Sequence, residues 1–162
     1  MILIGLGANL PSRAGEPAAT LRAALAEFAP QGIHVERISP FYRSVAWPNR
    51  ADPPFVNAVA IVFTELEPAS LLRVLHGIEA NFGRTRREPN APRVLDLDVL
   101  DYQGRVEVGP PTLPHPRMAG RAFVLFPLRD IAPHWRHPVS GCTVSELIEM
   151  LSNSELPKQL GA

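Results

Sequence analysis

The stretch from Phe55 to Phe63 constrains the fold more than any other part of the sequence. Its residues are apolar at successive positions, with Asn57 as the exception. A strand that is apolar on both faces is typical of the centre of a sheet. A buried amide needs hydrogen-bond partners, so Asn57 is either satisfied by nearby backbone or binds the polar edge of a heterocycle. The sequence therefore predicts a sheet built around this strand.

The order of the other elements predicts the fold class. Apolar residues recur at helical spacing within 16–28 and 68–82, and each segment has a proline near its start. The remaining strand candidates lie at 2–7, 33–42 and 92–100. The resulting βαββαβ order predicts a ferredoxin-like α+β sandwich, with one antiparallel sheet and helices on one face.

The C-terminal part adds elements to this unit. Residues 105–108 are a candidate for a short strand that pairs back, and an apolar segment follows at 121–126. Thr143 and Glu146 have the spacing of a capping box and predict a last helix. We expect one domain over 1–162, with a frayed tail after about residue 152. A ligand would lie on the open face of the sheet, under the long loops.

Composition limits the possible partners. The formal net charge is +0, which disfavours nucleic-acid binding through bulk electrostatics. Cys142 is the single cysteine, so no intrachain disulfide can form. The start of the chain lacks a basic region before its first apolar run, and no apolar run is long enough to span a bilayer. We expect a cytoplasmic monomer that acts on small molecules, without a membrane or nucleic-acid partner.

Two aspartates mark the candidate site. In the strand that follows Pro92, Asp96 and Asp98 share one face, roughly 7 Å apart along the backbone. Two buried carboxylates at this distance repel each other unless a cation lies between them, and magnesium takes one or two carboxylates together with substrate phosphates. The alternative is a solvated acidic face on an edge strand.

Arginines surround this strand. Arg93 begins it, and Arg84, Arg86 and Arg87 precede it. The planar guanidinium suits bidentate binding of phosphate, although such a cluster is equally typical of a solvated loop. A zinc site made of His134, His137 and Cys142 is disfavoured because a fourth ligand is missing.

Several motifs together resemble the 6-hydroxymethyl-7,8-dihydropterin pyrophosphokinase family. They occur in the family's order and extend over about nine-tenths of the chain. The matching segments are Gly7-Ala8-Asn9-Leu10, Phe41-Tyr42-Arg43-Ser44, Phe55-Val56-Asn57-Ala58, Ile78-Glu79 with Gly83-Arg84, Pro92-Arg93-Val94-Leu95-Asp96-Leu97-Asp98, Leu113-Pro114-His115, and Arg121-Ala122-Phe123 through Ile131-Ala132-Pro133.

The resemblance implies an ATP-dependent diphosphokinase of folate biosynthesis. Such an enzyme transfers the pyrophosphoryl group of ATP to the hydroxymethyl oxygen of the pterin and releases AMP. By similarity, Asp96 and Asp98 hold two magnesium ions, and Arg84 and Arg93 are the catalytic arginines.

The resemblance also implies the roles of the other site residues. Arg86 and Arg87 resemble lid residues that fold over ATP. The implied ATP-binding residues are His76, Glu79, Arg86, Arg87, Arg93, Val99, Thr112, His115 and Arg121. The implied pterin-binding residues are Ser44, Val45, Trp47, Phe55, Asn57 and Phe123, with the two phenylalanines stacking on the ring.

The chain departs from the family at three positions that bear on ATP affinity and lid closure. Asn90 stands near a position where many relatives carry a tryptophan, Pro110 where a basic residue is frequent, and Pro116 where an aromatic residue is frequent. Two alternatives stay open: a non-catalytic ferredoxin-like ligand-binding module, and another metal-dependent nucleotidyl or phosphoryl transferase, whose product would be pyrophosphate or ADP.

Overall fold

A computed structural model describes residues 1–84, 91–151 and 156–161. Its helices and strands follow the predicted order in the first two-thirds of the chain. They are β1 (Ile2–Ala8), α1 (Pro17–Ala26), β2 (His34–Ile38), β3 (Tyr42–Ser44), β4 (Phe55–Phe63), α2 (Pro68–Asn81), β5 (Asp96–Tyr102), α3 (Ala122–Ile131), α4 (Val144–Glu149) and β6 (Lys158–Gln159).

The predicted strand over 33–42 is two strands, with Pro40 between them. Proline has no N–H to donate to a ladder, so the chain leaves the sheet there. The hydroxyl of Ser39 donates to the Pro40 carbonyl at 2.8 Å, and the same oxygen accepts from the Val59 N–H at 3.0 Å. Both halves of the segment therefore remain attached to β4 although the strand is interrupted.

All strands pair in antiparallel fashion, in the order β5-β1-β4-β3-β6, and β2 pairs with β4 next to β3. Strand β4 contacts β1 along one side and both β2 and β3 along the other. The prediction that 55–63 is the central strand, apolar on both faces, is confirmed: residues 56–62 are all buried.

One face of the sheet is covered by α1 and α2, as the ferredoxin-like prediction requires. Alternate side chains of the strands point to this face and form the larger core. Its members from β1 and β5 are Ile2, Ile4, Leu6, Ala8, Leu97, Val99 and Tyr102. Within the described ranges, no helix has the length and apolar character needed to cross a bilayer.

The opposite face is covered over only part of its area. Helices α3 and α4 pack against Leu3, Val59, Ile61 and Leu100 and form a second, smaller core. Further along the same strands, this face carries glycines and polar residues instead of large apolar side chains: Gly5, Gly7, Asn57, Asp96 and Asp98. The sheet therefore has one open region, and it lies where we expected a ligand.

The C-terminal part differs from the prediction in two places. Residues 105–108 do not form a strand, since Glu107 makes only an isolated bridge to Leu113. The expectation of a frayed tail is wrong for 156–161, because β6 pairs with β3 and Pro157 is buried. The capping box of Thr143 and Glu146 is confirmed at the start of α4.

Tyr42 ties β3 to α3. Its hydroxyl donates to Asp130 Oδ2 at 2.6 Å, and burial together with this bond raises the pKa of Tyr42 to about 12. Replacing Tyr42 with Phe removes the hydrogen bond and keeps the ring, so we expect the free energy of unfolding to fall by about 1–2 kcal/mol. Urea denaturation of Tyr42→Phe, Asp130→Asn and the double variant measures the coupling, and additive effects would contradict the assignment.

Candidate active site

The floor of the open region consists of three neighbouring strands in a fixed register. Gly7 of β1 lies opposite Asn57 of β4 on one side and opposite Asp96 of β5 on the other. Gly5 lies opposite Asp98 in the same way. Since neighbouring strands are about 4.8 Å apart, Asn57 and Asp96 flank a gap of about 10 Å over the glycine.

The absence of a side chain at Gly7 keeps this gap open. A Cβ atom at this position would lie 3.2 Å from Asn57 Oδ1, 3.8 Å from the Phe55 ring and 3.9 Å from Asp96 Cβ. Any larger side chain would occupy the space between the amide and the carboxylate. A flat ligand can therefore rest on the main chain of β1.

A cavity of about 1150 Å³ lies above this floor. Pockets for one small ligand measure about 300–1,000 Å³, so this cavity has room for more than one. It brings together most of the predicted site residues: Ser44, Val45, Trp47, Phe55, Asn57, Arg84, Arg93, Asp96, Asp98, Arg121 and Phe123.

Asp96 is held by two arginines. Arg84 Nη1 lies 2.5 Å from Asp96 Oδ1, and Arg93 Nη1 lies 2.9 Å from Oδ2. All three side chains are mostly buried, so these ion pairs are less screened by solvent than surface pairs are. Each carboxylate oxygen thus has its own guanidinium partner.

Glu79 anchors this cluster from below. It is buried on α2, accepts from the Leu97 N–H at 2.7 Å, and forms an ion pair with Arg84 Nη1. Burial alone would lower the pKa of Arg84, but the carboxylates of Asp96 and Glu79 raise it overall, so the guanidinium stays charged. Glu79 therefore fixes Arg84 from the opposite side of the sheet.

Asp98 has a different environment from Asp96. Burial, followed by the negative charge of Asp96, raises the pKa of Asp98 to about 6 despite the opposing effect of nearby arginines. A bound cation would relieve both causes, since it favours the charged carboxylate. The charge of Asp98 is thus only partly compensated by the nearby arginines.

His115 lies beside Asp98 as a neutral hydrogen-bond donor. Burial, followed by the positive charges of Arg121 and Arg117, lowers the pKa of His115 to about 4. Its Nδ1 accepts from the Arg117 N–H at 3.2 Å, so the proton is on Nε2, which lies 3.9 Å from Asp98 Oδ2. The imidazole can therefore donate one hydrogen bond toward the cavity.

The other end of the cavity is aromatic and amide-bearing. Asn57 Nδ2 donates to Ser44 Oγ at 2.8 Å, which orients the amide. Phe55 of β4 and Phe123 of α3 both line the cavity. Each ring has a guanidinium over it: Arg93 Cζ lies 5.7 Å from the centre of the Phe55 ring, and Arg121 Cζ lies 5.4 Å from the centre of the Phe123 ring. The aromatic end and the arginine end of the cavity are therefore contiguous.

Five predicted residues that the structure describes are not among those lining the cavity, and His115, beside Asp98, is one of them. The side chain of Val99 lies in the core on the far side of the sheet, because alternation along β5 points it away from Asp98. The expected contact with a nucleotide therefore cannot involve this side chain. His76 and Glu79 belong to α2 on that same far side, and Thr112 donates to the Gly109 carbonyl at 3.0 Å in an exposed loop. Arg86, Arg87 and Asn90 lie outside the described residues.

The sequence did not single out several residues that line the cavity. Gly7 belongs to the Gly7-Ala8-Asn9-Leu10 motif but had no predicted role, and Gly5 belongs to no motif. The signal is their spacing of two residues, which places both glycines on one face of the strand. Arg50 and Arg117 also line the cavity, from loops whose conformation no periodicity predicts.

The described part of the chain contains no group of three or more His, Cys, Asp or Glu residues that could hold a metal ion by themselves. His134, His137 and Cys142, which lie in that part, form no such group. A metal site built on Asp96 and Asp98 would therefore need ligands other than the described His, Cys, Asp and Glu residues.

The structure defines a ferredoxin-like domain whose cavity combines carboxylates, arginines and aromatic rings, and comparison with known proteins gives the family. Residues 3–133 match the family described as 7,8-dihydro-6-hydroxymethylpterin-pyrophosphokinase (HPPK). The chain belongs to this family, as its motifs predicted.

Relatives of known name agree with this family. A 2-amino-4-hydroxy-6-hydroxymethyldihydropteridine pyrophosphokinase of Synechocystis sp. is 43% identical over 151 residues, which cover 92% of this chain and 75% of the relative. The protein of the same name from Methylorubrum extorquens is 40% identical over 157 residues and covers 96% of each chain.

Solved structures confirm the fold. The crystal structure of wild-type Plasmodium falciparum HPPK-DHPS matches with a TM-score of 0.68 at 13% sequence identity. The match covers 91% of this chain and 44% of that one, so this chain spans less than half of the Plasmodium protein.

The protonation state of His115 is directly measurable. Nitrogen-15 NMR of the ligand-free protein should show the Nε2–H tautomer at neutral pH and a titration midpoint near 4. The positive charge of Arg117 contributes to this low pKa, so Arg117→Gln should raise the midpoint. A midpoint at or above the usual value for histidine would contradict the neutral-donor assignment.

Proposed function

We propose that this chain transfers the pyrophosphoryl group of ATP to the hydroxymethyl oxygen of 6-hydroxymethyl-7,8-dihydropterin, and that AMP is the second product. This is the reaction of its family, in folate biosynthesis, and it makes the protein an ATP-dependent pyrophosphokinase. The observation that carries the proposal is the register of Asn57, Gly7 and Asp96 across one floor. This register places the amide of Asn57, which can bind a heterocycle, across one strand from the carboxylate of Asp96, which can take part in phosphate chemistry.

The pterin would occupy the aromatic end. Asn57, oriented by Ser44, has its amide at the floor, where it can bind the donor and acceptor edge of the pterin. Phe55 and Phe123 would stack on the ring, while the backbone of Ser44, Val45 and Trp47 closes the loop side. A ring lying over Gly7 directs its hydroxymethyl group toward Asp96 and Asp98.

The two aspartates fit magnesium. The donor set consists of two carboxylates, and the protein supplies no third acidic or imidazole ligand in its described part. Magnesium prefers such a site, because it keeps several waters and binds substrate phosphates in addition to one or two carboxylates. We therefore propose that Asp96 and Asp98 hold two magnesium ions together with ATP. When bound, these ions neutralise phosphate charge and bring the attacking and leaving oxygens into line.

The arginines would exchange partners when ATP binds. Arg84 and Arg93 now satisfy Asp96, and both guanidiniums lie at the edge of the cavity. If cations bind Asp96 instead, the two arginines are free to contact the charge that develops on the transferred group. Arg121 and the Nε2–H of His115 would bind the remaining phosphate oxygens from the α3 side.

No covalent intermediate is needed in this scheme. The pterin hydroxyl attacks the β-phosphorus in line, and the protein contributes position and positive charge. We propose that Arg86 and Arg87 fold over ATP as a lid and exclude water.

The product distinguishes this function from the alternatives. Purified protein is incubated with ATP, magnesium and 6-hydroxymethyl-7,8-dihydropterin, and nucleotides are separated by chromatography. We expect AMP in amounts equal to the pterin diphosphate, and none with excess EDTA. ADP or inorganic pyrophosphate as the product indicates another transferase, and no nucleotide turnover indicates a non-catalytic binding module.

The role of the acidic pair has its own test. Asp98→Asn keeps the shape of the side chain and removes the charge, so we expect a loss of turnover of about 10³-fold or more with little change in stability. Glu65→Gln, at an exposed position outside the cavity lining, makes the same acid-to-amide change and is the matched control. An Asp98→Asn enzyme with turnover close to that of Glu65→Gln would rule out a metal-binding role.

The glycine floor predicts a binding defect. In Gly7→Ala the added methyl group lies against the Asn57 amide, so we expect pterin affinity to fall by about 10–200-fold in titration calorimetry. Gly77→Ala, at an exposed helical position with nothing within 4 Å, is the control and should bind normally. Equal pterin affinity in the two variants would show that the ligand does not rest on β1.

A further inference from the structure

Asn9 is a buried polar residue with no role in the proposed reaction. It directly follows β1, within the Gly7-Ala8-Asn9-Leu10 motif, and is only 2% exposed. It is not among the described residues that line the cavity. A buried amide whose groups are unsatisfied costs about 1–3 kcal/mol, so its partners indicate what it holds in place.

The two ends of the amide bind two different segments. Asn9 Nδ2 donates to the Pro53 carbonyl at 3.0 Å, and Asn9 Oδ1 accepts from the Arg93 N–H at 2.7 Å. The chemistry fixes the orientation of the amide, because a carbonyl can only accept and an N–H can only donate. The main chain adds to the second contact, since the Asn9 and Leu10 N–H groups both donate to the Arg93 carbonyl, at 3.1 and 3.3 Å.

These two segments carry neighbouring parts of the cavity lining. Pro53 precedes Phe55, whose ring faces the cavity at the aromatic end. Arg93 pairs with Asp96 at the phosphate end, and its guanidinium lies 5.7 Å from the Phe55 ring. Asn9 thus joins two backbone segments. One leads into Phe55, whose ring forms the stacking wall of the cavity, and the other carries Arg93.

We propose that Asn9 is a positioning residue that sets the distance between the stacking wall and Arg93. It touches neither substrate. It holds both segments against the end of β1, so that a pterin stacked on Phe55 and a phosphate bound by Arg93 meet at the geometry required for transfer. The effect on turnover rests on the proposed function, whereas the tether itself does not.

Only an amide of this length satisfies both segments. Aspartate can accept from the Arg93 N–H but places a carboxylate against the Pro53 carbonyl. Leucine has a similar volume and binds neither segment. The series Asn9, Asn9→Asp and Asn9→Leu therefore removes first the side-chain hydrogen bond to Pro53 and then both side-chain hydrogen bonds, while the main-chain bonds to the Arg93 carbonyl remain.

The tether is tested without turnover by hydrogen–deuterium exchange. We expect Asn9→Leu to accelerate amide exchange in both 49–57 and 91–97, and Asn9→Asp to accelerate it mainly in 49–57. Asn81→Leu and Asn81→Asp, at the exposed last residue of α2, are the matched controls. Unchanged exchange in both segments of a folded Asn9→Leu protein would overturn the proposal, whichever reaction the protein catalyses.

The kinetic arm separates positioning from general support. A misplacement of about 1 Å can cost about 10²-fold in rate, so we expect a kcat loss of that order in Asn9→Leu and a smaller loss in Asn9→Asp. The dissociation constants of ATP and pterin should change by only about threefold, because the contacts with both substrates remain. Lost affinity with an unchanged kcat would overturn the positioning role. If the wild-type protein forms no AMP, the proposed function is refuted, and the hydrogen–deuterium exchange result alone tests the tether.

Discussion

The site depends on the charge balance around Asp96. A carboxylate that is mostly buried on a sheet must be neutralised, and the protein does this with Arg84 and Arg93, one for each oxygen. Glu79 in turn balances Arg84 from the far side of β5. Arg84 and Arg93 are thus paired with Asp96 in the ligand-free protein, whereas the charge of Asp98 is only partly compensated by nearby arginines.

The sheet register makes this arrangement possible. Because β1 lies between β4 and β5, it separates the amide-bearing strand from the acidic strand by the width of one strand. Its glycines leave that strand without side chains on the open face. A site assembled on loops would have to fix the same distance with flexible segments, whereas here backbone hydrogen bonds fix it.

The features of the fold that could be predicted from the sequence follow from the pattern of apolar and polar residues over a few neighbouring positions. Alternation along β5 correctly placed Leu97 and Val99 in the core and Asp96 and Asp98 on the other face. The continuous apolar run of β4 indicated its central position. The family resemblance implies that Val99 lies near the nucleotide, whereas alternation along β5 points this side chain away from the cavity, as the structure shows.

The features that could not be predicted depend on contacts between distant parts of the chain. Helix α3 contains Pro127 and is apolar at many positions, so its segment had no clear helical signal. The Asn9 contacts join residues 44 and 84 positions apart, and no local pattern reports such a distance. Pairing of β6 with β3 similarly brings the end of the chain back to the sheet. A polar strand of two residues has no sequence pattern that would predict this pairing.

The partly covered second face has a consequence for how the protein responds to its ligands. Helices α3 and α4 complete a third layer over one part of the sheet, and the remaining part has none. Substrates seated on the glycine floor would supply the missing piece of that layer, so that the small molecules become part of the packing. Occupied protein should then resist heat and proteolysis better than empty protein, to an extent set by ligand concentration relative to its dissociation constant.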